Sequence, residues 1–373
     1  MPELKKDPFE EYIRQTEGDR RDRGYAWQTA IGLQDVDGIQ PSAYLLQAAR
    51  RNIEGEITMA GVEALLDTYY RENAAHLPND RTEEADRVSA RIAALLSENA
   101  FVFAPSQYIS IHKCLFDGIY PYAGKIRDYN ITKQEWVLDG RSVIYGSAYN
   151  LREMLEYDFA EEKRFSYKGR SSDEIIAHIA SFISRLWQIH AFGEGNTRTT
   201  AVFLIKYLKT LGFEVTNDAF AANAWYFRNA LVRANYNDLK NGIHETTQYL
   251  ELFLRNLLLN EDNTLRNRDL HVRGLLSGKK QDIESKKQDI GGKKQDIDFS
   301  NVLKNAGLSA HTRENAEKLF LAFGSETVFG RTDAAKILGI TASPASALMK
   351  RMLDAAVIVP VKGQGKGRYR FCV

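Results

Sequence analysis

The stretch His190-Ala191-Phe192-Gly193-Glu194-Gly195-Asn196-Thr197-Arg198 lies between two apolar runs, and its reading decides how the rest of the chain is understood. Upstream, Ile175, Ile179, Phe182, Ile183, Leu186 and Ile189 recur at helical spacing and form a core-facing stripe. Downstream, residues 201–211 are apolar nearly all round, the pattern of a buried central helix. The stretch is therefore a short loop joining two core helices, and a mainly α fold is expected.

That loop has the parts a polyphosphate site needs. Gly193 and Gly195 allow close backbone approach, a helix starting near Asn196 turns free N–H groups toward an anion, and Arg198 in the first turn can neutralise charge. Glu194 adds a carboxylate beside the phosphates, which is repulsive unless a divalent cation lies between them, so it implies Mg²⁺. His190 supplies an imidazole able to take a proton from a hydroxyl attacking phosphorus. Phe192 has no part in proton transfer and reads as a core anchor. Taken singly, these residues also suit a plain helix cap with His190 and Phe192 packed beneath it. Six of them within nine positions favour the chemistry.

Working outward, residues 1–24 are dominated by charge, and residues 44–70 show helical spacing in Leu45, Leu46, Ala49 and Ile53, then Val62, Leu65, Leu66 and Tyr69. A helical pair is predicted there, set off by Asp37-Gly38, Pro41 and Gly55. Residues 87–262 read as a long helical block with one strand-like interruption. Ile126, Tyr129, Ile131, Trp136, Val137, Leu138, Val143, Ile144 and Tyr145 flank Asp139-Gly140, which predicts a β-hairpin over 125–147. Residues 279–299 repeat Lys-Lys-Gln-Asp-Ile three times; with only Ile283, Ile290 and Ile297 recurring, the repeat reads as a solvated linker rather than a coiled coil. Residues 301–373 resume globular patterning. Helices are expected over 316–323, 332–338 and from Ser343-Pro344 to about 355, followed by strands over 357–361 and 368–371, an order that resembles a winged helix. The domains expected are 1–80, 81–262, a linker over 263–300, and 301–373.

Bulk properties exclude rather than assign. The 373 residues carry a formal charge of +1, so nucleic-acid affinity would need a local patch. From residue 308 onward ten Lys or Arg face five Asp or Glu, with Lys350 and Arg351 on the expected recognition helix and Lys362, Lys366, Arg368 and Arg370 on the wing. DNA is a candidate partner of that region, although its helix start, Thr341-Ala-Ser-Pro-Ala-Ser, offers small side chains to a groove. Cys114 and Cys372 provide neither a disulfide framework nor a CxxC site. Without an apolar signal core or a run of membrane-spanning length, the expectation is a cytoplasmic protein with no membrane partner. Residues 118–125 fail as a P-loop, because five residues separate Gly118 from Gly124 and Ile126 stands where Ser or Thr should hold Mg²⁺. His112, His178 and His271 lack metal spacing and read as structural.

The nine-residue stretch resembles the signature of the Fic family, H-x-F-x-[DE]-G-N-G-R-x-x-R, at His190, Phe192, Glu194, Gly195, Asn196 and Arg198. The resemblance implies a Fic-type helical core that moves AMP from ATP to a Ser, Thr or Tyr hydroxyl of a target protein, or of the protein itself. It makes His190 the base, Glu194 the Mg²⁺ ligand, and Gly193, Gly195, Asn196, Thr197 and Arg198 nucleotide-binding residues. Tyr122-Ala-Gly-Lys-Ile-Arg127 resembles the family's approach to its flap, so the hairpin with Ile131, Thr132 and Lys133 would dock the target by strand addition. Arg50-Arg-Asn-Ile-Glu54-Gly55 resembles the inhibitory motif [ST]-x-x-x-E-[GN], with Glu54 and Gly55 kept. Thr197 replaces the second glycine. Ala201 replaces the final arginine, which in the family contacts the terminal phosphate and pairs with the inhibitory glutamate, so Glu54 reads as a scaffold or a weak lock. Ala201 leaves open the transfer of a phosphate or another nucleotide, and a separate alternative is a DNA-binding regulator with a nucleotide-sensing domain.

Overall fold

A computed structural model of the chain describes residues 9, 12, 18–73, 81–215, 219–272, 303, 308–323, 328–355, 357–361 and 367–371. Its described residues are mainly helical, and they divide into two compact units.

The first unit draws on Met1–Ile126, Gln134–Gly146 and Asn150–Gly292. Its helices are α1 Asp19–Gly32, α2 Ala43–Ile53, α3 Met59–Asn73, α4 Thr82–Ser97, α5 Pro105–Phe116, α6 Leu151–Arg164, α7 Ser172–Ile189, α8 Asn196–Thr210, α9 Ala219–Ala234, α10 Gln248–Leu259 and the short α11 Asn267–Leu270. At its centre is α8, every residue of which is buried from Asn196 through Leu208. Helices α4, α5 and α7 pack on it. Even Lys206 is inside, its ammonium donating to the Leu95 and Glu98 carbonyls at 2.6 and 2.8 Å; it thereby satisfies the orphan acceptors at the end of α4. α7 starts on a capping box, in which Ser171 Oγ accepts from Glu174 N and the Glu174 carboxylate accepts from Ser171 N. Along α7, Ile179, Phe182, Ile183, Leu186 and Ile189 of the expected stripe are buried, and Ile175 is half-buried at its solvent end.

The helical pair appears as α2 and α3. Ser42 caps α2 by accepting from Leu45 N at 3.0 Å, and Asp86 of α4 fixes that cap by accepting from Ser42 N, Ser42 Oγ and Tyr70 Oη. Charge had hidden α1, which buries Ala26, Trp27 and Ala30 and packs on α4. Its final residue, Gly32, meets α9 so closely that a Cβ there would lie 2.3 Å from Ala221 Cα.

The hairpin expected over 125–147 is reduced to one antiparallel bridge, Glu135 to Arg141. The reason lies in Trp136–Leu138, which coil into a 3-10 turn and bury Val137 and Leu138 where a ladder would have pointed alternate side chains to solvent. Asp139 and Gly140 do reverse the chain, both at positive φ.

The second unit draws on Arg127–Lys133, Ser147–Tyr149 and Lys293–Val373. Asn130 Oδ1 accepts from Ala148 N at 2.9 Å within it. Its C-terminal elements are α12 Ala310–Phe323, β1 Phe329–Gly330, α13 Arg331–Leu338, α14 Ala342–Asp354, β2 Ile358–Pro360 and β3 Arg368–Phe371. The strands form an antiparallel sheet in the order β1-β3-β2, with Phe329 opposite Tyr369 and Ile358 opposite Phe371. Leu319, Phe329, Met352, Ile358 and Phe371 fill the core beneath it. Strand β1 is too short to show a period in the sequence. The heptad repeat over 279–299 and the wing residues Lys362 and Lys366 lie outside the described residues.

Candidate active site

Helix α7 ends at Ile189, and His190 caps it in the left-handed conformation with φ 50 and ψ 56, its N–H donating to the Trp187 carbonyl at 3.0 Å. A non-glycine residue in that conformation is uncommon and costs about 1 kcal/mol, which the surrounding packing must supply. The ring is buried against two adjoining aromatic side chains, 4.3 Å from the Tyr145 ring and 5.3 Å from Trp187, which it meets edge-on, the two being 5.7 Å apart. The loop then closes on itself. Asn196 Oδ1 accepts from Phe192 N at 3.0 Å while its Nδ2 donates to Phe192 O at 2.7 Å, so the Asn196 side chain is a latch across four residues. Gly195 caps α8 at φ +77, and a Cβ there would lie 2.3 Å from Phe116 Cε2, so no larger residue fits. The first i→i−4 bond of α8 is from Thr199 N to Gly195 O. The N–H groups of Asn196, Thr197 and Arg198 therefore precede the ladder, at the positive end of a fifteen-residue helix. Glu194 is half-buried beside them, with Oε1 accepting from Gly195 N at 3.2 Å. Gly193 is buried, and the Thr197 hydroxyl is turned inward to accept from Trp187 Nε1 at 2.9 Å.

His112 of α5 braces this loop from behind. Its Nδ1 accepts from Gly124 N at 2.9 Å, so the proton sits on Nε2, which donates to the Glu194 carbonyl at 3.0 Å. The ring stacks on Phe192 at 3.7 Å. Burial outweighs the hydrogen bond to Glu194 and pushes its pKa from 6.5 down to about 4, so the folded protein holds it neutral. A histidine with a depressed folded pKa contributes stability that is full above 6.5 and is lost as pH falls through 4, because the unfolded chain binds the proton first. Unfolding by denaturant should therefore show a loss approaching about 3 kcal/mol between pH 7 and pH 4 from this group. His112→Gln should flatten that slope, and an unchanged slope would contradict the assignment.

The structure gives Arg198 a different environment from the one its place in the motif suggests. Its side chain is fully buried, with one terminal nitrogen 2.8 Å from both Asp37 Oδ2 and Glu84 Oε1 and the other donating to Gln34 Oε1 at 3.1 Å. The guanidinium also lies 4.8 Å above the Phe116 ring. Arg81 holds the same Glu84 at 2.5 and 2.6 Å, so two arginines meet two carboxylates and the cluster is formally neutral. Burial alone would raise the pKa of Glu84, but its hydrogen bond to Arg81 and its attraction to Arg198 hold it below the ordinary range. With its charge compensated inside the protein, Arg198 has little left for an anion, which leaves the backbone N–H groups of α8 as the candidate anion donors.

Glu54 lies at the end of α2 and pairs with Arg20 at 3.4 Å, next to Gly55 at φ +82. It is not among the partners of Arg198, whose carboxylates come from Asp37 and Glu84. Ala201 is fully buried in α8. Ile131 is buried and Thr132 and Lys133 are half-buried in the second unit, outside any strand or helix. Among the described residues, no cluster of three or more His, Cys, Asp or Glu could hold a metal ion, and no helix is long and apolar enough to cross a membrane.

The residues sequence reasoning missed, Gln34, Asp37, Glu84 and Tyr145, come from three separate segments. No local spacing joins them to the loop, whereas His112, read from the sequence as structural, does stand on the buried face of α5 with Tyr108, Ile111, Leu115 and Phe116. Set against known proteins, the chain has no match among curated ones. The region that holds α5, α7, the loop and most of α8 does match a family model: residues 102–208, which include the loop from His190 to Arg198, are similar to the Fic/DOC family.

Proposed function

We propose that the domain is a protein adenylyltransferase that moves AMP from ATP to a Ser, Thr or Tyr hydroxyl of a target protein or of the chain itself. The observation that carries this reading is the juxtaposition in one loop of a buried imidazole, at the end of α7, with the N-terminal N–H groups of α8. His190 takes the proton of the attacking hydroxyl as its oxygen bonds to the α-phosphorus. The bond from that phosphorus to the bridging oxygen breaks, and pyrophosphate leaves. The N–H groups of Asn196, Thr197 and Arg198 stabilise the charge on the phosphates, an electrostatic and positioning role rather than a covalent one. A single loop carboxylate beside a phosphate cradle suits Mg²⁺, which uses few protein ligands and several phosphate oxygens. Glu194 would hold it, and the ion would supply neutralisation of phosphate charge.

ATP labelled at the α or the γ position, incubated with Mg²⁺ and the full chain, tests the reading. Label from the α position on protein is expected. Label from the γ position alone would instead identify a phosphotransferase, a reading favoured by Ala201, which cannot contact the terminal phosphate as an arginine would.

The C-terminal elements support a second, separate reading as a winged helix: helix, strand, two helices and a two-stranded wing in that order. Lys350 and Arg351 are exposed on α14, and Arg368 and Arg370 on β3, although Arg368 is engaged by Asp333 at 2.7 Å. Duplex DNA titrated at low and moderate salt should bind with a steep salt dependence that Lys350→Glu with Arg351→Glu reduces. Salt-independent or absent binding would leave the domain a protein-binding module.

A further inference from the structure

The base in this loop is supported by groups that no motif contains. Tyr145 lies in a segment clamped to the last turn of α7 on both sides: Gly146 N donates to Gln188 O at 3.1 Å, and Gln188 Nε2 donates to Ile144 O at 3.0 Å. The approach needs a glycine, because a Cβ on Gly146 would stand 2.8 Å from the Ile189 carbonyl. Held there, the Tyr145 ring forms one wall of the His190 pocket at 4.3 Å. Its hydroxyl donates to Glu135 Oε1 at 2.8 Å. Glu135 is fully buried, and its other oxygen lies 2.7 Å from Arg228 of α9, whose guanidinium sits above Trp225. Burial opposes the charge on Arg228, yet attraction to Glu135 outweighs it and holds the guanidinium charged.

We infer that Tyr145 is a positioning residue for His190, and that the Glu135–Arg228 pair exists to fix the Tyr145 ring. A buried ion pair costs desolvation and adds little net stability, whereas it specifies one geometry. Here the geometry specified is that of an aromatic wall against an imidazole already held in a strained backbone conformation. The adjoining wall is tied as well, since Trp187, whose ring meets Tyr145 at 5.7 Å, donates its indole N–H to Thr197. Proton transfer needs the imidazole within hydrogen-bond reach of the hydroxyl, so a ring left free to rock would miss the productive angle. The inference rests on His190 acting as the base.

Tyr145→Phe keeps the wall and removes its tether. The full chain has seven histidines, so carbon-labelled imidazoles give a small set of resonances, and the one lost in His190→Asn identifies itself. In the wild type the His190 resonance should be displaced by the ring currents of Tyr145 and Trp187. In Tyr145→Phe it should move toward the position of a free histidine and broaden. Where the wild type transfers α-label, kcat should fall about tenfold in the variant with KM for ATP held within twofold. Glu135→Gln combined with Tyr145→Phe should be no worse than the more severe single change, because both cut the same link. An unmoved His190 resonance, or a moved one with kcat unchanged, would overturn the inference. If the wild type transfers nothing, the adenylyltransferase reading fails alone and the resonance still decides whether Tyr145 holds the ring.

Discussion

Arg198→Ala should cost the protein about 3–5 kcal/mol, because it removes one member of a buried charge cluster and leaves its partners inside. Asp37 and Glu84 would face each other without the guanidinium that now touches both at 2.8 Å, Gln34 would lose its donor, and Arg81 alone would neutralise Glu84. Asp37 comes from the 3-10 turn at Leu33–Asp37, Glu84 from α4 and Arg198 from α8, so the cluster ties three elements together. The denaturation midpoint should fall with an unchanged slope. Arg198→Lys should recover little, since one ammonium cannot reproduce the fork. The pH dependence has a definite sign. Glu84, whose folded pKa is depressed, contributes stability above the ordinary carboxylate range and loses it as pH falls through its folded value. The gap between wild type and Arg198→Ala should therefore narrow in acid. A loss under about 1 kcal/mol at neutral pH would mean that the cluster is solvated in solution.

His190→Asn should lower α-label transfer about 10³-fold, the midrange for a general base, while leaving the fold in place. Asparagine is the appropriate replacement, because position 190 sits at φ 50 and asparagine tolerates that conformation better than alanine. ATP affinity should change little, since the phosphates are assigned to backbone N–H groups that the substitution does not touch. A fall in affinity with kcat preserved would make His190 a binding residue and remove the base from the mechanism.

Much of this was legible because helical periodicity survives in sequence. The stripe on α7, the apolar run of α8 and the pair α2 and α3 stand where their spacing put them. The same spacing misled at Trp136-Val137-Leu138: three apolar residues beside Asp139-Gly140 read as a strand, but a tight turn buries Val137 and Leu138 equally well. Asn196 reads naturally as a phosphate ligand, and only the folded loop shows its amide spent on Phe192. Arg198 shows the clearest limit. Its position in the motif is local information, but its partner Glu84 is 114 residues away, and a tertiary ion pair at that separation leaves no periodic trace. The helix α1 was concealed for a related reason, since its solvent face carries the charge that dominates residues 1–24 while Trp27 and Ala30 lie underneath.

A crystal structure of the full chain soaked with Mg²⁺ and an ATP analogue that cannot be cleaved between the α- and β-phosphates tests the proposed site most directly. The expected result has phosphate oxygens on the N–H groups of Asn196, Thr197 and Arg198, the cation against Glu194, and His190 facing the α-phosphorus with Arg198 still paired to Asp37 and Glu84. Nucleotide bound elsewhere, or phosphates seated on an Arg198 released from those carboxylates, would contradict it.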